Sequence, residues 1–188
     1  MKKIAWMLVT IISLLSFAPF VQAMDGLFDG SHYGSFAGTV VNVTQGDTLI
    51  VMLEGADGGR ASFVIMPETY WMEGMELSDG GQAQIFYVLS PIAPLIFPPQ
   101  YIAAVVAPVT EGEAVFVGRF NERLVSLDNQ LQLLNMRDAE VLAIDGEPYG
   151  GDLAGHTLAV VYGPSTRSIP AQTTPLRVTV LDDGEKTE

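Results

Sequence analysis

From Gly38 to Ala107 the chain alternates apolar and polar residues or runs apolar in short bursts, each closed by Gly, Asp or Pro. The bursts are GTVVNV (Gly38–Val43), DTLIVML (Asp47–Leu53), RASFVIM (Arg60–Met66), QAQIFYVL (Gln82–Leu89) and IAAVVA (Ile102–Ala107). Their length and their β-branched and aromatic content predict strands. The turn sequences TQGD and EGADGG separate the first three, which predicts a meander. Residues 66–81 then bridge to the fourth strand and are too rich in Gly for a long helix. A second series follows: AVFVGRF (Ala114–Phe120), RLVSL (Arg123–Leu127), QLQLL (Gln130–Leu134), AEVLAI (Ala139–Ile144), TLAVVY (Thr157–Tyr162) and LRVTVL (Leu176–Leu181).

The two series align. Setting PETYWMEGMELSDGGQAQIFY beside GEPYGGDLAGHTLAVVY matches Glu68 with Glu147, Tyr70 with Tyr149, Leu77 with Leu153 and Tyr87 with Tyr162. After the matching Tyr each half enters a Pro-rich loop, SPIAPLIFPPQY or GPSTRSIPAQTTP, that brings Gln100 or Gln172 just after a Pro element. The expected fold is all-β: two tandem small OB-like barrels related by internal duplication, spanning residues 36–108 and 109–181. An SH3-like barrel, or one sandwich built from both halves, is compatible with the same pattern.

The ends read differently. Residues 1–23 carry Lys2 and Lys3, an apolar run from Ile4, Pro19 and small residues at Val21 and Ala23, the pattern of a secretory signal peptide cut after Ala23. Retention of this segment as an anchor is the alternative. Residues 24–35 read as a flexible lead-in and residues 182–188 as an acidic tail. No later stretch is long and apolar enough for a membrane span. The chain has 22 Asp+Glu against nine Lys+Arg and a formal charge of −13; loss of Lys2 and Lys3 makes the exported chain more acidic still. Nucleic acid is thereby excluded as a partner, since its binding draws on clustered Lys and Arg. With no cysteine, neither disulfides nor thiolate chemistry is available, and the fold rests on its core.

The loop sequences PLIFPPQYIAAVV and VVYGPSTRSIPAQTTPLRVTVL resemble those of secreted bacterial proteins of unassigned function whose two halves carry such tandem Pro-loop β-barrel repeats. In that group the repeats sometimes accompany a stalk domain similar to the N-terminal domain of copper amine oxidases. The resemblance covers most of residues 36–181 and implies extracytoplasmic placement without naming a substrate. This chain carries no copper-ligand set, so amine oxidase activity is not implied. The barrel pattern is more loosely similar to small exported bacterial OB-fold proteins.

Catalytic motifs are missing: no Gly-x-Ser-x-Gly elbow, Ser-x-x-Lys pair, HExxH helix or phosphate-cradling Gly loop occurs. His32 lies in the lead-in, and His156 precedes a strand. The carboxylates Glu68, Glu73, Glu76, Asp79, Glu140, Asp145, Glu147 and Asp152 read as solvated surface, with a carboxylate-based hydrolase of the envelope as the rival reading. Neither DGLFDGSH nor DDGE has the spacing of a calcium loop, so no metal and no cofactor is expected. Asn42–Thr44 fits a glycosylation acceptor only formally. In the first Pro loop, Ile92, Leu95, Ile96 and Phe97 either form an exposed contact patch or fold back to plug the barrel. In the second, Arg167 offers a planar donor fork to a carboxylate, or holds its own loop. The reading is a non-enzymatic binding or structural module of the cell envelope, monomeric or weakly self-associating. Arg167, Tyr162, Gln172, Tyr87, Phe97 and Tyr101 are the candidate contacts for an envelope peptide, protein or glycan, and a structural spacer without any ligand is the third reading.

Overall fold

The computed structural model describes Phe28, residues 32–89 and residues 97–182. The expected signal segment 1–23, the loop residues Ile92, Leu95 and Ile96 and the expected tail from residue 183 lie outside the described residues. Ten strands and a single 3₁₀ turn at Met136–Asp138 make up the regular structure of the described residues. The chain is all-β, as the alternation predicts.

The first five strands are β1 (Tyr33–Gln45), β2 (Leu49–Glu54), β3 (Arg60–Trp71), β4 (Gln82–Val88) and β5 (Gln100–Ala107). They close into an OB-like barrel in the order β1-β2-β3-β5-β4, with β3 and β5 parallel and the other pairs antiparallel. Closure leaves this unit no open sheet edge, the usual site of unwanted strand pairing. β1 serves two neighbours: Tyr33–Thr39 pair with β4, and Thr39–Gln45 with β2. Gly38 sits at this handover, fully enclosed, and a Cβ there would overlap the backbone carbonyl of Glu54.

The second unit comprises β6 (Ala114–Arg119), β7 (Leu131–Leu133), β8 (Glu140–Ala143), β9 (Thr157–Ser165) and β10 (Ala171–Val180). It is a five-stranded sheet in the order β6-β9-β10-β7, with β8 also on β10. Its remaining side is joined only by isolated bridges, Phe120 to Ser126 and Val125 to Gln132. RLVSL, expected as a strand, is therefore a turn-rich segment. Asn121 Oδ1 accepts from the backbone N–H of Arg123 and Val125, and Ser126 Oγ accepts from Gln130 and Leu131. Side-chain acceptors of this kind compete with a ladder.

The pairing matches between the units at some positions and not at others. Tyr87 lies opposite Ala103 and Gly34; Tyr162 lies opposite Pro175 and Ala114. These are equivalent places, and Gln100 and Gln172 each lie at the start of a parallel pairing, Gln100 as its first residue and Gln172 as its second. Tyr70 and Tyr149 are not equivalent: Tyr70 pairs with Val105 inside β3, whereas Tyr149 lies beyond β8 and donates its N–H to Val141. The single bulged strand β3 of the first unit has its counterpart in two short strands, β7 and β8, separated by the 3₁₀ turn.

Three apolar clusters stack in sequence. One fills the barrel around Val51, Leu53, Phe63, Ile85 and Val106. Another fills the second unit around Phe120, Leu131, Leu158, Val160 and Val178. Between them Phe86, Ala104, Val105 and Ala107 meet Val117, Ala159 and Leu181. Strand alternation explains the layering: on β9, Leu158 and Val160 face one cluster while Ala159 and Val161 face the other.

Both chain ends are tied in further than expected. β1 begins at Tyr33, inside the stretch expected to be a flexible lead-in, and the Phe28 carbonyl accepts from Thr157 Oγ1. Asp182, expected in the tail, accepts from the Thr157 N–H at 2.9 Å and sits 2.8 Å from His156 Nδ1.

Gly38→Ala is expected to cost roughly 2 kcal/mol, since the obstacle is backbone and overpacking must move a strand. Gly163→Ala, which meets nothing within 4 Å, is expected to stay within about 0.5 kcal/mol of the parent. Urea unfolding of both variants measures the difference.

Candidate functional site

The segment YGPSTRSIPAQTTP, expected as a long connection, is mostly strand. β9 continues through Gly163, Pro164 and Ser165, and β10 starts at Ala171, leaving only Thr166–Pro170 as the turn. The prolines are accommodated because the β9–β10 register shifts on both sides of Pro175, and a bulge removes the need for a ladder N–H. Hydroxyls brace the turn. Thr166 Oγ1 accepts from the Gln172 N–H at 2.8 Å and lies 2.7 Å from Ser168 Oγ, while Ser168 Oγ donates to the Pro170 carbonyl at 2.7 Å. Ile169–Pro170 is cis, as is Phe97–Pro98 in the first unit.

On this frame Arg167 stands exposed, with no ion pair or hydrogen bond to another described residue. Ile169 beside it is 86% exposed. Phe97, which holds the matching place before its own Pro, is 93% exposed. Phe97 therefore does not plug the barrel. Gln172 is occupied within the fold: its Nε2 donates to Gln132 Oε1 at 3.1 Å, bridging β10 and β7. Tyr162 packs its ring against the second unit's cluster, and burial raises its phenol above the ordinary value of 10.0.

Tyr87 and Tyr101 come together at the mouth of the first barrel. Their rings stack at 4.2 Å, and Phe63 below lies 5.7 Å from Tyr87 and 6.0 Å from Tyr101. Phe36 adds a fourth ring 5.9 Å from Phe63. Gly34, opposite Tyr87 on β1, makes the arrangement fit, since a Cβ there would run into the Tyr87 ring. Burial, and then the neighbouring Tyr101, raise the Tyr87 phenol above its ordinary 10.0. The six candidates thus separate into three kinds: the exposed Phe97 and Arg167, the stacked pair Tyr87 and Tyr101, and two residues, Tyr162 and Gln172, engaged in the fold.

A groove of about 290 Å³ at the junction of the units has no counterpart among the sequence expectations. Met72, Val115 and Val161 form apolar wall, and Glu73, Glu140 and Arg177 line the polar side. Arg177 binds Glu140 at 2.6 Å within its own unit and reaches Glu73 of the first unit at 2.9 Å. Its hydrogen bond to Glu140 is the main cause that raises the guanidinium pKa. An Arg inside the alternating strand LRVTVL was the available clue, but only tertiary packing names its partners. Two other carboxylates of the candidate set are turn residues: Asp145 Oδ1 accepts from the Glu147 N–H, and Asp152 Oδ1 from the Ala154 N–H. His156 is held between Asp182, on Nδ1, and the Tyr149 hydroxyl, 3.2 Å from Nε2.

A phenol whose folded pKa is raised ionises more readily in the unfolded chain. Its stabilising contribution is whole below pH 10 and is lost as pH rises through the folded values. Tyrosinate absorbance should therefore show Tyr87 and Tyr162 titrating above the ordinary 10.0, with stability falling as pH rises through their folded values. Tyr101→Phe should lower the Tyr87 titration midpoint; an unchanged midpoint would remove Tyr101 as a cause.

Compared with known proteins, the chain matches no family model and no curated protein sequence.

Proposed function

We propose that this protein is an exported, non-enzymatic binding or structural module of the cell envelope, built from two units related by internal duplication. It engages an envelope peptide, protein or glycan through the ends of its two closing hairpins, β4–β5 and β9–β10. The observation that carries this reading is the pair of apolar tips: Phe97 and Ile169 are far more exposed than any other large apolar side chain among the described residues. An apolar residue held in water gains free energy when a partner covers it, and Ile169 stands on a turn braced by the Thr166 and Ser168 hydroxyls. The bracing matters because a preorganised contact loses less entropy on binding. Arg167 adds a donor fork at the second tip that its own fold does not consume. The non-enzymatic part rests on the absent catalytic motifs and on His156, whose two ring nitrogens are already taken up by Asp182 and Tyr149.

The test is co-sedimentation of the purified protein with isolated cell-wall sacculi and, separately, with an envelope protein extract immobilised on beads. The parent is compared with a Phe97→Ser, Arg167→Ala, Ile169→Ser variant of equal Tm. Recovery of the parent at least fivefold above the variant is the expected result. Equal recovery of both, or recovery of neither, removes the tips as a binding surface and leaves the structural role.

A further inference from the structure

Over β2 and the first halves of β3 and β5, the outer face of the first barrel belongs to none of the three apolar clusters; further along β5, Ala104, Val105 and Ala107 pack on the second unit. Strand registers place Ile50, Val64 and Ile102 in one row across β2, β3 and β5, and Met52, Ser62 and Gln100 in the next. These side chains alternate with Val51, Phe63 and Tyr101, which point inward. Thr44 and Asn42 extend the two rows onto β1. None of these residues carries a charge, in a chain with 22 Asp+Glu. Charge returns only at the next row, where Glu54 and Arg60 neutralise each other at 2.6 Å.

Ile102 is 51% exposed, and Asn42 and Thr44 are exposed as well. Thr44 Oγ1 donates to Asn42 Oδ1 at 2.7 Å, which orients the Asn42 amide and leaves its N–H groups to donate outward. The Gln100 amide makes no side-chain hydrogen bond to another described residue. The face therefore interleaves aliphatic side chains with the Asn42 and Gln100 amides, while the Ser62 hydroxyl is buried and Thr44 spends its proton on Asn42.

We infer that this face is a docking surface for an uncharged glycan chain, an inference that rests on the reading of the protein as a binding module. The chemistry matches: sugars present C–H patches alternating with hydroxyls, which apolar side chains and neutral amides can meet without any ion. The position matches as well, since OB barrels bind oligosaccharides and oligonucleotides over strands two and three. Acidity disfavours the oligonucleotide. A peptide strand is disfavoured because β2, β3 and β5 each have a paired neighbour on either side, leaving no free edge for strand addition.

The probes are chitohexaose, cellohexaose and maltoheptaose, titrated calorimetrically into the purified protein at 50 and 500 mM salt. Binding of at least one of them, with an affinity that changes less than twofold between the salts, is expected. Ile102→Glu, at an exposed position, should keep the parent Tm and weaken that binding at least tenfold; Gln100→Ala should weaken it about threefold. Absence of binding to all three, or binding that survives Ile102→Glu, overturns the inference. A dimer that Ile102→Glu dissociates, or an uncharged peptide that competes for the face, overturns it by assigning another occupant. Sacculus binding that depends on the tips while these sugars do not bind defeats the glycan face and leaves the hairpin reading standing.

Discussion

Burial of the second half of β5, Ala103 to Ala107, on both faces is the constraint on which the rest depends. Ala103, Ala104, Val105, Val106 and Ala107 are all fully buried. Ala103 and Val106 fill the barrel, and Ala104, Val105 and Ala107 meet the second unit. A barrel wall buried on both sides cannot carry a polar face, so its sequence is a continuous apolar run rather than an alternation. The small side chains let the second sheet approach, with Ala159 of β9 meeting them from the other side. One strand thus serves two cores. That sharing explains how a chain without cysteine can hold two small units together, since neither has to bury enough surface alone.

Much of this was legible in the sequence. IAAVVA and QAQIFYV each announced a strand, β5 and β4. The errors came where a local signal yielded to tertiary context. Prolines at 164 and 175 argued for a loop, yet both lie within strands, where register shifts relieve the missing N–H. Pro67 misled in the same way: β3 continues past it to Trp71 across an irregularity between Ile65 and Tyr70. RLVSL had the composition of a strand, but Asn121 and Ser126 supplied acceptors that fold it into turns.

The candidate contacts were less legible than the fold. Tyr87 and Tyr162 occupy equivalent ladder positions, but Tyr87 gains a stacking partner because residue 101 is a Tyr, whereas Thr173 at the matching place bonds the Pro164 carbonyl. Gln172 looked like a ligand contact in isolation and is a strand-to-strand tie once Gln132 is beside it. The uncharged outer face was invisible because it spans strands far apart in sequence. Only the registers of β2, β3 and β5 show that residues 50, 64 and 102 are neighbours.

The allocation of the scarce cations bears on how these surfaces divide their work. Arg60 is paired with Glu54, and Arg177 is shared between Glu140 and Glu73, where it ties the second unit to the first. Both are partly exposed pairs and contribute modestly to stability. Arg167 has neither neighbour and stands at a tip, far in chemical character from the charge-free face. A contact through Arg167 is electrostatic and weakens as salt screens it, whereas contact through Ile102 and Gln100 is not. On the proposed reading, one salt-sensitive and one salt-insensitive surface would let an acidic protein hold a neutral polymer steadily while its association with a charged partner follows the salt of the surroundings.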